Sequence, residues 1–409
     1  MLNNNRVINL SKLLIIFLGI SVSLWSTTWV FFSAIKSSYI LYFTIILISF
    51  RIFLIFDFKD IEKSIILFLI FFLLINSSYF IVGLLQYIES GLDFFYIIEY
   101  FIKLNISIIF CLLSSKYIFD EKQIDIFFQT TTIMYIIIFS ALIIVYLFIF
   151  EASFIGTKID FEFGQSRHSK NTLAIFITLI FPFIFTYILR KKALFIGPIF
   201  LILYFIMIYK IESSTIVVIS IFQLFLYTFL LSKNLYLKIA TIAFFVLISP
   251  KILENEYDNS TRNSFENNEK VFVLKPEIEK KPFLILNSHR GELLYSSLQK
   301  AKNNFLLGSG LATFRIRADN YNSLTETHNS YFSILVDTGI IGLFLYIYFY
   351  YFMIIKLIRK RNLKITNYDF SCIIYISTLL LSLNSVNIEY TLSIWILNGI
   401  CVSRVFIKE

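Results

Sequence analysis

Residues 330–356, SYFSILVDTGIIGLFLYIYFYYFMIIK, form an apolar run long enough to carry one α-helix across a hydrocarbon core. A core of roughly 30 Å needs about 20 mostly apolar residues, because in lipid each backbone N–H and C=O must find its partner within the helix. Runs of the same kind recur at 12–33, 39–57, 64–84, 94–114, 127–150, 171–189, 194–209, 214–232, 236–250, 371–387 and 390–405. The pattern predicts an all-α, polytopic membrane protein of about twelve transmembrane helices. The run at 236–250 is short, and the one at 94–114 contains Glu99 and Lys103. The polar start before Leu13 is not followed by a small-residue cleavage pattern, so the first run reads as a retained span.

Composition agrees. Apolar residues make up 58% of the 409 and charged residues 15%, with a mean hydropathy of +0.78, far more apolar surface than a soluble core needs. The net charge of +9 is scattered between the runs, which argues against a basic nucleic-acid-binding domain. Many of the 25 tyrosines fall near run ends, where a ring suits the headgroup level. Cys111, Cys372 and Cys401 lie in or beside apolar runs, at spacings that fit neither a zinc site nor a disulfide framework.

Lys and Arg in short connections set orientation. With a cytoplasmic N-terminus, eighteen of them fall inside, while the short outer segments hold five: Lys36, Lys158, Arg167, Lys170 and Lys210. Both termini are then cytoplasmic. The polar stretch 251–329 lies outside as one large loop, between helices one to nine in residues 1–250 and helices ten to twelve in 330–409. Within it, 254–281 is rich in Asn, Glu and Lys, whereas Leu293, Leu294, Leu298 and Ala301 have near-helical spacing and predict a surface helix over 292–302. Arg290 stands at its start, and Gly308-Ser309-Gly310 breaks the chain after it. No internal repeat is visible.

Arg51, Glu99 and Lys103 fall inside apolar runs, where charge is costly. Glu99 and Lys103, four apart, share a helix face and can pair. They either stabilise the bundle or line a polar cleft.

The outer residues suit an anionic substrate. Arginine meets phosphate with a fixed fork of charged donors, and Arg290, Arg167, Arg315 and Arg317 all lie outside. Lys170 and Arg167 precede an apolar helix whose first N–H groups also favour an anion. Each is equally compatible with a solvated loop. All three histidines, His168, His289 and His328, are outside, in no standard metal pattern. His328 meets the tenth span, where an imidazole can take a proton from a sugar hydroxyl or, when charged, hold a phosphate oxygen. Glu212, beside Ser213 and Ser214, reads as a second carboxylate base or as a helix cap.

These residues resemble the O-antigen ligase and polymerase superfamily. The resemblance rests on Arg290-Gly291 with Leu293-Leu294, on Asn304-Phe305-Leu306-Leu307-Gly308-Ser309-Gly310-Leu311 with Phe314, on His328-Asn329-Ser330-Tyr331, and on Gly339-Ile340-Ile341-Gly342. Ser169-Lys170-Asn171-Thr172-Leu173-Ala174 is similar to the family's Asn-containing start of a central span. The match is clear over 160–345 and one of character only before that. It implies a GT-C-like glycosyltransferase of the bacterial inner membrane, acting on undecaprenyl-diphosphate-linked glycans at the periplasmic face. It further implies inverting, metal-independent chemistry that needs no cofactor, with a chain-length regulator and a flippase as partners beside membrane lipids. In that reading Arg290 meets the departing diphosphate, with Arg167, Lys170, Arg315 and Arg317 in support, and His328 or Glu212 handles the acceptor proton. The family often carries an arginine after a serine at the outer start of a central helix. Here the chain reads Glu212-Ser213-Ser214-Thr215, so either Arg167 or Lys210 takes that contact or the phosphate is held differently, and a polymerase is favoured over a ligase. The competing class is a polysaccharide or lipid transporter, which commonly shows related halves and needs no large outer loop.

Overall fold

The computed structural model describes residues 12–23, 76–77, 79–85, 94–118, 120–149, 170–193, 195–211, 214–231, 297–311, 316–317, 324–325, 329–359, 367–383 and 392–406. In chain order the helices are α1 (Lys12–Ser23), α2 (within 76–85), α3 (Phe94–Tyr117), α4 (Glu121–Ile149), α5 (Lys170–Lys191), α6 (Ile196–Ile211), α7 (Ser214–Leu231), α8 (297–303), α9 (Ser330–Arg359), α10 (Asn367–Ser382) and α11 (Leu392–Phe406). Apart from these, the described residues form one antiparallel ladder of two-residue strands, β1 (Ile316–Arg317) and β2 (Leu324–Thr325). Helices α3 to α7 and α9 to α11 overlie eight of the apolar runs. The runs at 39–57 and 236–250 lie outside the described residues. Among the described residues, α4 and α9 are long and apolar enough to cross a membrane.

The helices meet where side chains are smallest or where backbone groups need partners. The most extensive pairing joins α3 and α11. Gly399 makes it possible: a Cβ there would fall 2.3 Å from the Cys111 carbonyl oxygen and 1.9 Å from Ser114 Oγ. In α5, Pro182 cannot donate the bond that the Thr178 carbonyl would receive in an unbroken helix. Gln223 of α7 supplies it, its Nε2 donating to Thr178 O at 2.8 Å. The Pro182 carbonyl in turn accepts from Tyr227 Oη at 2.6 Å and from Ser371 Oγ of α10 at 3.2 Å. A proline that would weaken an isolated helix thus becomes the junction of α5, α7 and α10. Asn398 similarly ties α11 to its neighbours, donating to Tyr350 Oη at 2.9 Å and accepting from Tyr375 Oη at 3.1 Å.

One end of the bundle is ionic. Asp125 near the start of α4 accepts from Tyr368 Oη at 2.7 Å and pairs with Lys191 at 2.8 Å and Arg190 at 3.3 Å. Arg190 also bonds Glu121 and lies 5.5 Å from the centre of the Tyr368 ring. Arg404 grips Asp369 through Nε at 2.8 Å and Nη2 at 3.4 Å. These contacts put the starts of α4 and α10 and the ends of α5 and α11 at one level. The start of α9 belongs to the opposite end, where Ser330 N donates to the Leu383 carbonyl just past α10.

Candidate functional site

Helix α9 is broken at Gly339, whose φ of 67° and ψ of −172° belong to a region essentially reserved for glycine. A break of this kind orphans backbone groups that a continuous helix would pair. Four of them are taken up by other elements. Val336 O accepts from Ser309 N at 2.8 Å, Asp337 O from Gly310 N at 3.0 Å, and Thr338 O from Tyr79 Oη of α2 at 3.0 Å. Ile340 N donates to Phe305 O at 2.9 Å. The Asn304–Leu311 segment is therefore clamped into the helix break.

Glycines set how close this clamp can come. A Cβ on Gly308 would meet Asp337 O at 2.4 Å, and one on Gly339 would meet Leu306 O at 2.3 Å. On the other side, a Cβ on Gly310 would meet Gly83 N at 2.5 Å, and Leu311 N donates to Tyr79 O at 2.9 Å. The Gly308-Ser309-Gly310 turn and the Gly339 motif, far apart in sequence, are two halves of one joint, with α2 as its third member.

A small cavity of about 60 Å³ lies beneath, lined by apolar side chains of α3, α9 and α11 together with Asn76, Asp337 and Thr338. It is too small for a sugar ring and has room for only a few waters. The Asp337 carboxylate is 2% exposed. Burial pushes the Lys300 ammonium of α8 below its ordinary value, and the Asp337 charge pulls it back upward. The Asp337 charge thus favours the protonated form of a lysine on the preceding loop helix.

The start of α9 has its own cap. Asn329, 5% exposed, accepts from Phe332 N through Oδ1 at 3.2 Å, satisfying a donor that the first turn leaves orphaned. The asparagine of the His328-Asn329 pair is a capping residue. Asn329→Ala is expected to cost about 1 kcal/mol, read as a modest fall in the thermal unfolding midpoint of the purified protein, with Asn329→Asp retaining most of the cap.

Clamp and cap together anchor the segment 312–328 at Leu311 and at Asn329. Along it, β1 pairs with β2 in the register Ile316↔Thr325 and Arg317↔Leu324, so the segment turns back on itself before reaching α9. Arg317 sits on β1. Arg290, Arg315, His328, Arg167 and Glu212 lie outside the described residues, as do the side chains of Arg317, Lys170 and Lys210. The helices that carry the two lysines are described: Lys170 opens α5 and Lys210 is in the last turn of α6. Because α5 ends in the ionic layer and α6 runs back from it, both lysines belong to the end of the bundle where α9 begins. Of the charges predicted at membrane depth, Lys103 is half-buried in α3, and Arg51 and the Glu99 side chain fall outside the described residues. Asp337 and Lys300 were not singled out from the sequence. A carboxylate eight residues into an apolar run was the available signal.

The joint reaches from α8 to α9 and contains Gly308, Gly310 and Gly339, three of the glycines on which the resemblance rested. Residues 177–347 match the model of the O-antigen ligase family. The match supports the O-antigen ligase and polymerase superfamily for this segment, a superfamily of membrane proteins with glycosyltransferase-like activity on lipid-linked glycans. It runs from within α5 through the clamp to Ile347, eight residues past the Gly339 break. No curated protein matches the chain.

Proposed function

We propose that this superfamily protein is an O-antigen or surface-polysaccharide polymerase, joining undecaprenyl-diphosphate-linked repeat units at the periplasmic face of the inner membrane. The family match over 177–347 supports glycan transfer, because the matched segment includes Arg290, Arg315, Arg317, His328, Lys210 and Glu212, and the preference for a polymerase rests on Glu212-Ser213-Ser214-Thr215, which lacks the serine-linked arginine. The GT-C-like architecture of about twelve spans, with the loop 251–329 outside, agrees with the ionic layer at the Arg404 end, since an excess of Lys and Arg marks the cytoplasmic side.

The chemistry is a displacement at the anomeric carbon. An acceptor hydroxyl oxygen forms the new bond to that carbon, the bond to the diphosphate oxygen breaks, and its electron pair leaves with the diphosphate. The hydroxyl proton passes to His328, with Glu212 as the alternative base. Charge grows on the leaving diphosphate, so cations already in place lower the barrier. Arg290 fills that role, supported by Arg167, Lys170, Arg315, Arg317 and Lys210. No metal ion or cofactor is assigned a part. A chain-length regulator and a flippase are the proposed protein partners.

Arg290→Ala is expected to lower long-chain product by roughly 10²–10³-fold, the usual cost of losing one preorganised donor to a developing anion, with the folded protein retained. Undiminished product would remove Arg290 from the reaction. The decisive assay combines purified protein in vesicles with a synthetic lipid-diphosphate-linked repeat, with and without a lipid A-core acceptor, followed by sizing of the product. A ladder without the core acceptor supports the polymerase. The matched family model is described as a ligase, and single transfer that requires lipid A-core would establish that second reading instead.

A further inference from the structure

We infer that the turn Asn304–Leu307 is a foot that sits in the acyl region of the bilayer, in the leaflet at the Ser330 end, with lipid chains as its partner. The turn is closed and rigid: Gly308 N donates to Asn304 O at 2.8 Å, and Asn304 Nδ2 donates to Ser309 Oγ at 3.3 Å. Its side chains point away from the protein, Leu306 being 63% and Leu307 65% exposed, with Phe305 also exposed. Three consecutive large apolar residues on a solvated loop tip would be a costly arrangement. Here they continue a surface that already faces lipid. The Ile340 to Phe305 bond sets the turn beside Ile341 and Phe344, both exposed on α9, and the contact of Gly310 with Gly83 sets it beside the exposed Ile81 and Leu85 of α2.

Depth along α9 says the same. Lys356 and Arg359 mark the far end of this helix, and about 20 residues span the hydrocarbon. Counting back from Lys356 brings the near boundary to the level of Val336, just before the break that receives the turn. The foot therefore lies at or inside that boundary rather than above the headgroups. It makes part of the polar loop 251–329 re-entrant.

The inference is independent of which glycan is transferred, and it is tested without activity. Cys111, Cys372 and Cys401 are all buried, so a nitroxide placed on Leu306→Cys in the full chain reports from that site. The labelled protein is reconstituted in vesicles of phosphatidylethanolamine and phosphatidylglycerol, and collision with oxygen is compared with collision with a water-soluble nickel chelate. Label on Asn303→Cys, exposed at the end of α8, serves as the aqueous reference. The oxygen-to-nickel ratio at 306 is expected to be several-fold higher than at 303. Leu307→Cys gives the same reading if Leu306→Cys does not fold. Nickel access at 306 and 307 equal to that at 303 would overturn the inference, and so would shielding from both reagents, which would mean that protein covers the turn.

Discussion

Gly339→Ala is expected to lower the thermal unfolding midpoint of the purified protein by on the order of 10 °C, scaling from the usual few degrees per kcal/mol. The new methyl group would lie 2.3 Å from the Leu306 carbonyl oxygen and 2.6 Å from Gly308 N, and neither is a side chain that can rotate aside. The backbone conformation itself costs an L-residue about 1–3 kcal/mol. Relief requires either α9 to straighten or the Asn304–Leu311 segment to withdraw. Both outcomes strip Val336 O, Asp337 O and Ile340 N of their partners, and each buried backbone group left unpaired costs about 1–3 kcal/mol. The combined penalty is on the order of 5 kcal/mol, comparable with the whole stability of many proteins. Gly197→Ala, in the first turn of α6, is the control. A Cβ there would lie 2.6 Å from Ile188 Cγ2, a side-chain methyl that can rotate aside, and 3.7 Å from Ile188 Cβ. Equal midpoints for the two variants would show that the joint does not hold the loop to the helix.

The same joint shows what the sequence could and could not reveal. Apolar length alone located α3 to α7 and α9 to α11, because a helix in lipid must be apolar along its whole length and the signal accumulates over some twenty residues. The Gly308-Ser309-Gly310 turn and the Gly339-x-x-Gly342 motif were visible as motifs, but their mutual contact was not. It depends on carbonyls that exist as free acceptors only after the helix has broken. Tyr79 was illegible for a related reason: nothing local distinguishes it from the other tyrosines at run ends, and only the Thr338 carbonyl gives its hydroxyl a task. Asn329 stood out in the sequence only as part of the His328-Asn329-Ser330-Tyr331 stretch, while its side chain caps α9. The candidate cations rest on their chemistry and on their order along the chain, and the structure adds the anchors at Leu311 and Asn329.

Removing Arg404 is the second change with a large expected effect. Asp369 is completely buried in the first turn of α10, and Arg404 reaches it from the last turn of α11 with two hydrogen bonds, its own side chain 6% exposed. A buried pair of this kind adds little net stability over an apolar replacement, yet losing one partner is costly because the other charge is then stranded. Arg404→Met is therefore expected to destabilise the protein by about 3–5 kcal/mol, less whatever the start of α10 contributes to the isolated carboxylate through its free N–H groups. The double variant Asp369→Leu with Arg404→Met removes the stranded charge and is expected to recover most of that loss. A coupling of at least about 2 kcal/mol in the resulting cycle, measured by denaturant unfolding in detergent, would identify the pair as a lock between α10 and α11. Additive single and double effects would mean that Arg404 contributes only the packing of its stem. The distinction bears on the whole bundle: α11 packs on α3 through Gly399, α10 on α5 through Thr186 and Ser371, and this ion pair fixes the two packed units at a common height.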